Sequence, residues 1–271
     1  MPELPEVETT KRGIAPHIVG KTIKNVLVRQ RQLRWLITDD FEKNLFSQTI
    51  QNVQRRAKYL LIQTENGTLI IHLGMSGNLR IVSQNSLANV HDHVDIVFDE
   101  NTVLRFNDQR RFGALVWTTN DVFKHPLLRD LGVEPLTDDF TPALLFQLSR
   151  RKRIPIKTFL MNGKCVVGVG NIYANESLFL SGISPTRLTG DLLAQDCENL
   201  VLHIREVLTK AIEKGGTTLR DFVNSEGKAG YFQQQLHVYG RGNLPCTKCL
   251  TPLIEIRLAN RTTVFCPICQ V

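Results

Sequence analysis

Two cysteine pairs near the end of this 271-residue chain, Cys246-x2-Cys249 and Cys266-x2-Cys269, restrict its fold more than any other feature. A Cys-x-x-Cys turn can place two thiolates on one metal, and the sixteen residues 250–265 suffice for a β-hairpin that brings the pairs together. One tetrahedral zinc ion is the expected result. Four cysteine ligands leave it no open position, so its role is structural. Two disulfides or a redox pair are the alternatives; a reducing cytosol opposes the first, and the regularity of the paired knuckles opposes the second. Cys165 and Cys197 lie outside either pair and read as small buried residues.

The cytosolic setting is itself an expectation. No apolar stretch is long enough to span a bilayer, and the N-terminus is acidic and proline-bearing rather than basic and then apolar. With 42% hydrophobic residues the chain can bury a core, and its length suits two modest domains or one large one. Lys and Arg number 33 against 26 Asp and Glu, a net charge of +7 that favours a polyanionic partner such as nucleic acid. An anionic membrane surface or a solvated basic face would also account for the sum. Between Arg150 and Lys164 there are six bases (Arg150, Arg151, Lys152, Arg153, Lys157, Lys164) and no acid, a concentrated field suited to a phosphate backbone.

After a short N-terminal helix, residues 20–118 read as strands: Thr22–Val28, Tyr59–Gln63, Thr68–Leu73, Val94–Phe98, Thr102–Phe106 and Ala114–Trp117. Glu65-Asn66-Gly67 and Asp99-Glu100-Asn101 read as turns between them. An antiparallel sandwich or barrel is predicted. From Thr141 the apolar spacing turns helical, through Ala143, Leu144, Leu145 and Leu148, then Ser177–Leu180, then a long run from Asp191 to Ile212 that Gly215-Gly216 stops. The fold class is therefore α+β, and Gly227 to Gly230 falls in a polar loop ahead of the cysteine module.

The chain starts Met1-Pro2-Glu3-Leu4-Pro5-Glu6-Val7-Glu8. Removal of Met1, favoured by the small residue that follows, exposes a secondary amine on Pro2. Attack of that amine on a sugar carbon gives an iminium, an electron sink that eases later proton loss and strand elimination. Glu3 adjoins the amine and Glu6 lies one helical turn on, so both carboxylates can handle protons there. The same octapeptide equally suits a plain helix start, with proline in the first turn and acids facing the dipole.

Pro2-Glu3-Leu4-Pro5-Glu6-Val7-Glu8-Thr9 together with the four-cysteine module closely resembles the bacterial formamidopyrimidine-DNA glycosylase family. The likeness runs the whole chain, through Arg55-Arg56-Ala57-Lys58-Tyr59-Leu60, His72-Leu73-Gly74-Met75-Ser76-Gly77, His91-Asp92-His93-Val94-Asp95, Arg110-Arg111-Phe112-Gly113 and Gly168-Val169-Gly170-Asn171-Ile172-Tyr173. It implies an N-terminal β-sandwich domain over 1–130, a helical helix-two-turn-helix domain over 131–235 and a zinc finger over 236–271. It also implies a base-excision repair enzyme that removes oxidised purines, 8-oxoguanine and formamidopyrimidines, through a Schiff base on Pro2, and then cleaves the abasic strand by β,δ-elimination. The implied partner is double-stranded DNA carrying oxidised bases or abasic sites, bound by a monomer with one structural zinc ion in the bacterial cytoplasm.

The resemblance assigns roles residue by residue. Glu3 is the proton donor at the sugar ring with Glu6 in support, Lys58 serves β-elimination, and Arg261, between the cysteine pairs, serves the elimination steps. Met75, Arg110 and Phe112 match the residues that fill the gap left when a base swings out of the duplex: an apolar wedge plus a guanidinium that pairs with the orphaned base. Core packing is the alternative for Met75 and Phe112 by residue type, while Gly74, Gly77 and Gly113 suggest turns from which they project. His91, Lys152, Asn171 and Tyr239 match phosphate contacts. Arg220 opens a stretch to Tyr231 that resembles the family's loop over the flipped base. Two departures stand out: Asp108-Gln109 where relatives commonly have Asp-Pro, and Arg220 where lysine is common. Sister enzymes that remove oxidised pyrimidines share the architecture but usually carry glycine at the position of Leu4. A non-catalytic zinc-dependent DNA-binding protein is the rival from another class, and it gives Pro2 no purpose.

Overall fold

In a computed structural model, which describes residues 2–216 and 236–271, the chain opens with helix α1 (Leu4–Ile18). Pro5 lies in its first turn, where a missing N–H costs no helical bond, and Leu4, Val7, Ile14 and Ile18 form its buried side. Eight strands follow in two antiparallel sheets. They are β1 (Asn25–Val28), β2 (Ile50–Arg56), β3 (Tyr59–Thr64), β4 (Thr68–His72), β5 (Asn78–Val82), β6 (Asp92–Asp99), β7 (Thr102–Asn107) and β8 (Ala114–Thr118). One sheet has the order β1-β6-β7-β5 and the other β2-β3-β4-β8.

The alternation of side chains builds the core between the sheets. Leu60 pairs with Ile71 and Ile62 with Leu69 across β3 and β4, and these four meet Val94, Ile96, Leu104 and Phe106 of the other sheet in one apolar cluster. Val7, Ile14 and Ile18 of α1 join it, as do Phe41 and Leu45 of a short helix α2 (Phe41–Leu45). The expected sandwich is thus present, with two strands that the sequence pattern did not reveal. Both are edges: β2 buries only Ile50 and Val53 among polar neighbours, and β5 carries Asn78 and Arg80. Polar edge strands are common because one face and one row of backbone groups meet water. Strand β1 is shorter than expected, since Thr22 makes only an isolated bridge to Thr49.

The described residues divide into two compact units, those within Met1–Arg129 and Lys214–Tyr231, and those within Asp130–Glu213 and Phe232–Val271. The second unit holds α3 (Pro142–Ser149), α4 (Ile156–Met161), α5 (Asn171–Leu180) and α6 (Ala194–Glu213). Thr141 caps α3, its Oγ1 accepting from the Leu144 N–H at 3.1 Å. Helix α6 ends as expected at Gly215, whose φ of +76° favours glycine. Strands β9 (Ile254–Leu258) and β10 (Arg261–Phe265) form the expected hairpin across Ala259 and Asn260, both at positive φ. Its root packs with α5 in a small core of Phe179, Val238, Leu253 and Val264, with Cys246 and Cys266 among them. Among the described residues no helix is long and apolar enough to cross a membrane.

Candidate active site and nucleic-acid interface

At the N-terminus Pro2 and Glu3 are buried and Glu6 is fully so. The Glu6 carboxylate accepts from the Glu3 N–H at 2.8 Å, and its carbonyl accepts from Thr10 Oγ1 at 2.8 Å. Glu6 therefore ties the first turn and fixes the peptide that follows Pro2. A Cβ on Gly216, at φ +86°, would lie 3.1 Å from Glu6 Oε1, so bare backbone walls this carboxylate. Glu8, two residues on, pairs with Lys11 at 2.8 Å and with Arg12 and Arg55 at 3.0 Å each. Burial pushes its carboxyl up, but the three cations outweigh burial and hold it below the usual carboxylate range.

Lys58 stands at the two-residue turn Ala57-Lys58 between β2 and β3, with Ala57 at φ +54°. Arg55 reaches both places, donating to Glu8 Oε2 and to the Ala57 carbonyl, each at 3.0 Å. It therefore staples the helix that follows Pro2 to the turn that carries Lys58, a part the sequence offered only as a motif. Beside this turn a cleft is lined by Arg34, Trp35, Tyr59, His72 and Phe112. His72 Nδ1 accepts from the Gly74 N–H at 3.0 Å, and burial, with Lys58 and Arg34 nearby, lowers its pKa to about 4. The ring is neutral at pH 7 and carries its proton on Nε2.

Met75, Arg110 and Phe112 come together at one end of the sandwich. Met75 is half-buried in the turn between β4 and β5, while Arg110 and Phe112 are exposed on the loop between β7 and β8. The Arg110 guanidinium lies 4.9 Å from the centre of the Phe112 ring. The two loops touch through glycine: a Cβ on Gly74 would sit 2.5 Å from the Gly113 nitrogen. Phe112, 41% exposed, is a projecting side chain rather than a core one. His91 is half-buried in the turn before β6, its ring 6.4 Å from that of His93.

In the second unit the hairpin is bolted to its helices. Arg261 is exposed at the start of β10, directly after the tight turn. The next carbonyl, of Thr262, accepts from Asn171 Nδ2 at 3.0 Å and from Lys157 Nζ at 2.9 Å, and Asn175 Oδ1 accepts from the Val264 N–H at 3.0 Å. Asn171 is thus beside the hairpin, at the first position of α5. Tyr239 is placed by Glu176 of α5, whose buried carboxylate accepts from the N–H groups of His237, Val238 and Tyr239 at 2.8–3.0 Å. Sequence reading missed Glu176 because a carboxylate that serves only backbone donors leaves no motif. Lys152 is exposed on the turn after α3, which is fastened by the Gly190 N–H to its carbonyl at 2.9 Å. The basic field around it is smaller than its count: Lys157 is 1% exposed and serves the hairpin, and Arg150 turns to the Leu192 carbonyl at 2.6 Å. Arg151, Lys152, Arg153 and Lys164 remain exposed. Arg220 and Met1 lie outside the described residues.

Cys246, Cys249, Cys266 and Cys269 bring four Sγ atoms within 4.8 Å of one another. Four Zn–S bonds of about 2.3 Å require sulfur–sulfur separations of roughly 3.8 Å. The observed 3.9 Å for Cys246–Cys269 and 3.4 Å for Cys249–Cys266 straddle that value, so the donor set fits one zinc ion. Cys165 and Cys197 are buried away from this cluster, and burial pushes both thiols up to about 11.

Residues 1–115 match a family model described as the formamidopyrimidine-DNA glycosylase N-terminal domain, and residues 131–223 match one described as the formamidopyrimidine-DNA glycosylase H2TH domain. The chain is 56% identical over 270 residues to a formamidopyrimidine-DNA glycosylase of Marinobacter nauticus, covering 100% of both. It superposes with a TM-score of 0.93 and 34% identity on a Lactococcus lactis FPG mutant in complex with Fapy-dG-containing DNA, over 99% of each chain. The Lactococcus lactis Fpg in complex with DNA containing an abasic site gives a TM-score of 0.91 at 34% identity, again over 99% of each.

Proposed function

Since this chain belongs to the formamidopyrimidine-DNA glycosylase family, we propose that it excises oxidised purines from duplex DNA and then cuts the abasic strand by β,δ-elimination, with Pro2 as the nucleophile. The Pro2 nitrogen forms a bond to C1′ of the sugar as the bond from C1′ to the base breaks, and the base departs with a proton. Opening of the C1′–O4′ bond then leaves an iminium, and Glu3 supplies the proton that the ring oxygen takes up. Loss of a proton from C2′ expels the 3′ phosphate, and a second elimination expels the 5′ phosphate. Lys58 serves the first of these proton transfers and Arg261 stabilises the departing phosphates.

The observation that carries this reading is the buried Pro2–Glu6 corner, whose first turn is tied by the Glu6 carboxylate. A fixed turn holds amine and carboxylate in one geometry, which is what catalysis by proximity needs. The complexes of the Lactococcus lactis protein with Fapy-dG and abasic DNA support the substrate class. Met75, Arg110 and Phe112 fill the vacated space in the duplex, and His91, Lys152, Asn171 and Tyr239 bind phosphates. Cys246, Cys249, Cys266 and Cys269 would hold the zinc ion, which would supply a rigid crosslink to the hairpin that carries Arg261.

The test is borohydride reduction during turnover on a duplex with one 8-oxoguanine, followed by peptide mapping of the crosslink. An adduct on Pro2 is expected. An adduct confined to an internal lysine would move the nucleophile, and no adduct or cleavage with binding intact would overturn the catalytic reading.

A further inference from the structure

Asp108 has no part in the chemistry above, yet it is fully buried and each of its polar atoms is bonded. Its N–H donates to the His91 carbonyl at 3.0 Å, and its own carbonyl accepts from His93 Nε2 at 2.8 Å. Its Oδ1 accepts from Ser76 Oγ at 2.7 Å and its Oδ2 from the Gly113 N–H at 2.7 Å. Ser76 Oγ in turn accepts from the Arg110 N–H at 3.1 Å. The carboxylate and the hydroxyl therefore join the turn of Met75 to the loop of Arg110 and Phe112, while the Asp108 main chain ties in the segment of His91. Both loops run from one sheet to the other, between the His72–Ala114 end of the β4–β8 ladder and the Asn78–Asn107 end of the β5–β7 ladder, and between those ends these bonds join them.

We infer that Asp108 and Ser76 form a positioning pair that sets the wedge of Met75, Arg110 and Phe112 in its working arrangement before DNA arrives. The inference rests on the reading of those three residues as the ones that fill the gap. A loop ordered in the free protein has already lost the entropy that insertion would otherwise cost, so the pair acts on the step in which the base leaves the stack. Burial makes the pair effective, because charge-assisted bonds from Ser76 and Gly113 meet little competition from water. Neither residue touches substrate; both act through their neighbours.

The test compares Ser76→Ala and Asp108→Asn with wild type on two substrates. One is a duplex with a paired 8-oxoguanine, and the other is a single strand with a preformed abasic site, where no stacked base has to be displaced. Single-turnover excision from the duplex is expected to fall about 10- to 100-fold, the scale of a misplacement near 1 Å, while elimination on the single strand keeps its rate. A 2-aminopurine beside the lesion should show slower unstacking in step with excision. Met75→Ala and Phe112→Ala serve as controls: if they cut the duplex at the wild-type rate, the gap-filling reading fails. If they are impaired while Ser76→Ala and Asp108→Asn are not, the positioning pair fails. Equal losses on both substrates in Ser76→Ala, the milder change, would also overturn it.

Discussion

At the scale of residues, single side chains here carry duties that sequence motifs show only in part. Glu6 was read both as a helix-start acid and as a partner of the Pro2 amine, and the bond to the Glu3 N–H shows the first of these roles. His72 was visible within a motif, but its charge state was not, because burial and the nearby Lys58 and Arg34 are brought to it by folding. With a pKa lowered to about 4, the folded protein resists protonating this ring, whereas the unfolded chain takes up the proton near the ordinary value of 6.5. The stability linked to His72 is therefore complete above pH 6.5 and is lost as pH falls towards 4. Thermal midpoints across this window should drop in the wild type and drop less in His72→Asn, whose amide oxygen can still accept from Gly74. Equal slopes in the two proteins would show that the ring titrates normally.

Among the elements, those legible in the sequence were the ones built from consecutive branched or apolar residues. Strands β3, β4, β6, β7 and β8 announced themselves by branched residues because they supply the core, while edge strands β2 and β5 hid behind polar side chains. Helix α5 was seen only from Ser177 onward, since its first six residues bury Asn175 and Glu176 along with apolar neighbours and so lack an amphipathic stripe. Those polar residues are the ones that hold the hairpin and Tyr239. The hairpin itself was legible from cysteine spacing, because metal geometry leaves few ways to arrange two knuckles. Purified protein should contain one zinc per chain by atomic absorption. Chelation should abolish strand cleavage and remove hydrogen-exchange protection from β9 and β10 while β1 to β8 keep theirs. An apoprotein that still cuts DNA would show that the hairpin holds without metal.

For the whole molecule, a net charge of +7 favoured a polyanionic partner without marking a place of contact. Two of the six bases in the segment from Arg150 to Lys164 turn inward, so composition overstated that face, for a lysine's stem can be core as readily as surface. DNA affinity should fall steeply with salt, and Lys152→Ala should reduce the slope of log K against log salt by about 1. An unchanged slope would remove Lys152 from the phosphate contacts. The chain also crosses between its two units more than once: it leaves the first at Arg129 and rejoins it at Lys214. Gly216, which walls Glu6, is thus made long after the residues it covers. A ribosome adding about 5–20 residues per second must finish α6 before that wall exists. Until then the nascent chain carries its N-terminus in an unfinished corner, so the schedule of synthesis itself sets the moment at which the wall around Glu6 is complete.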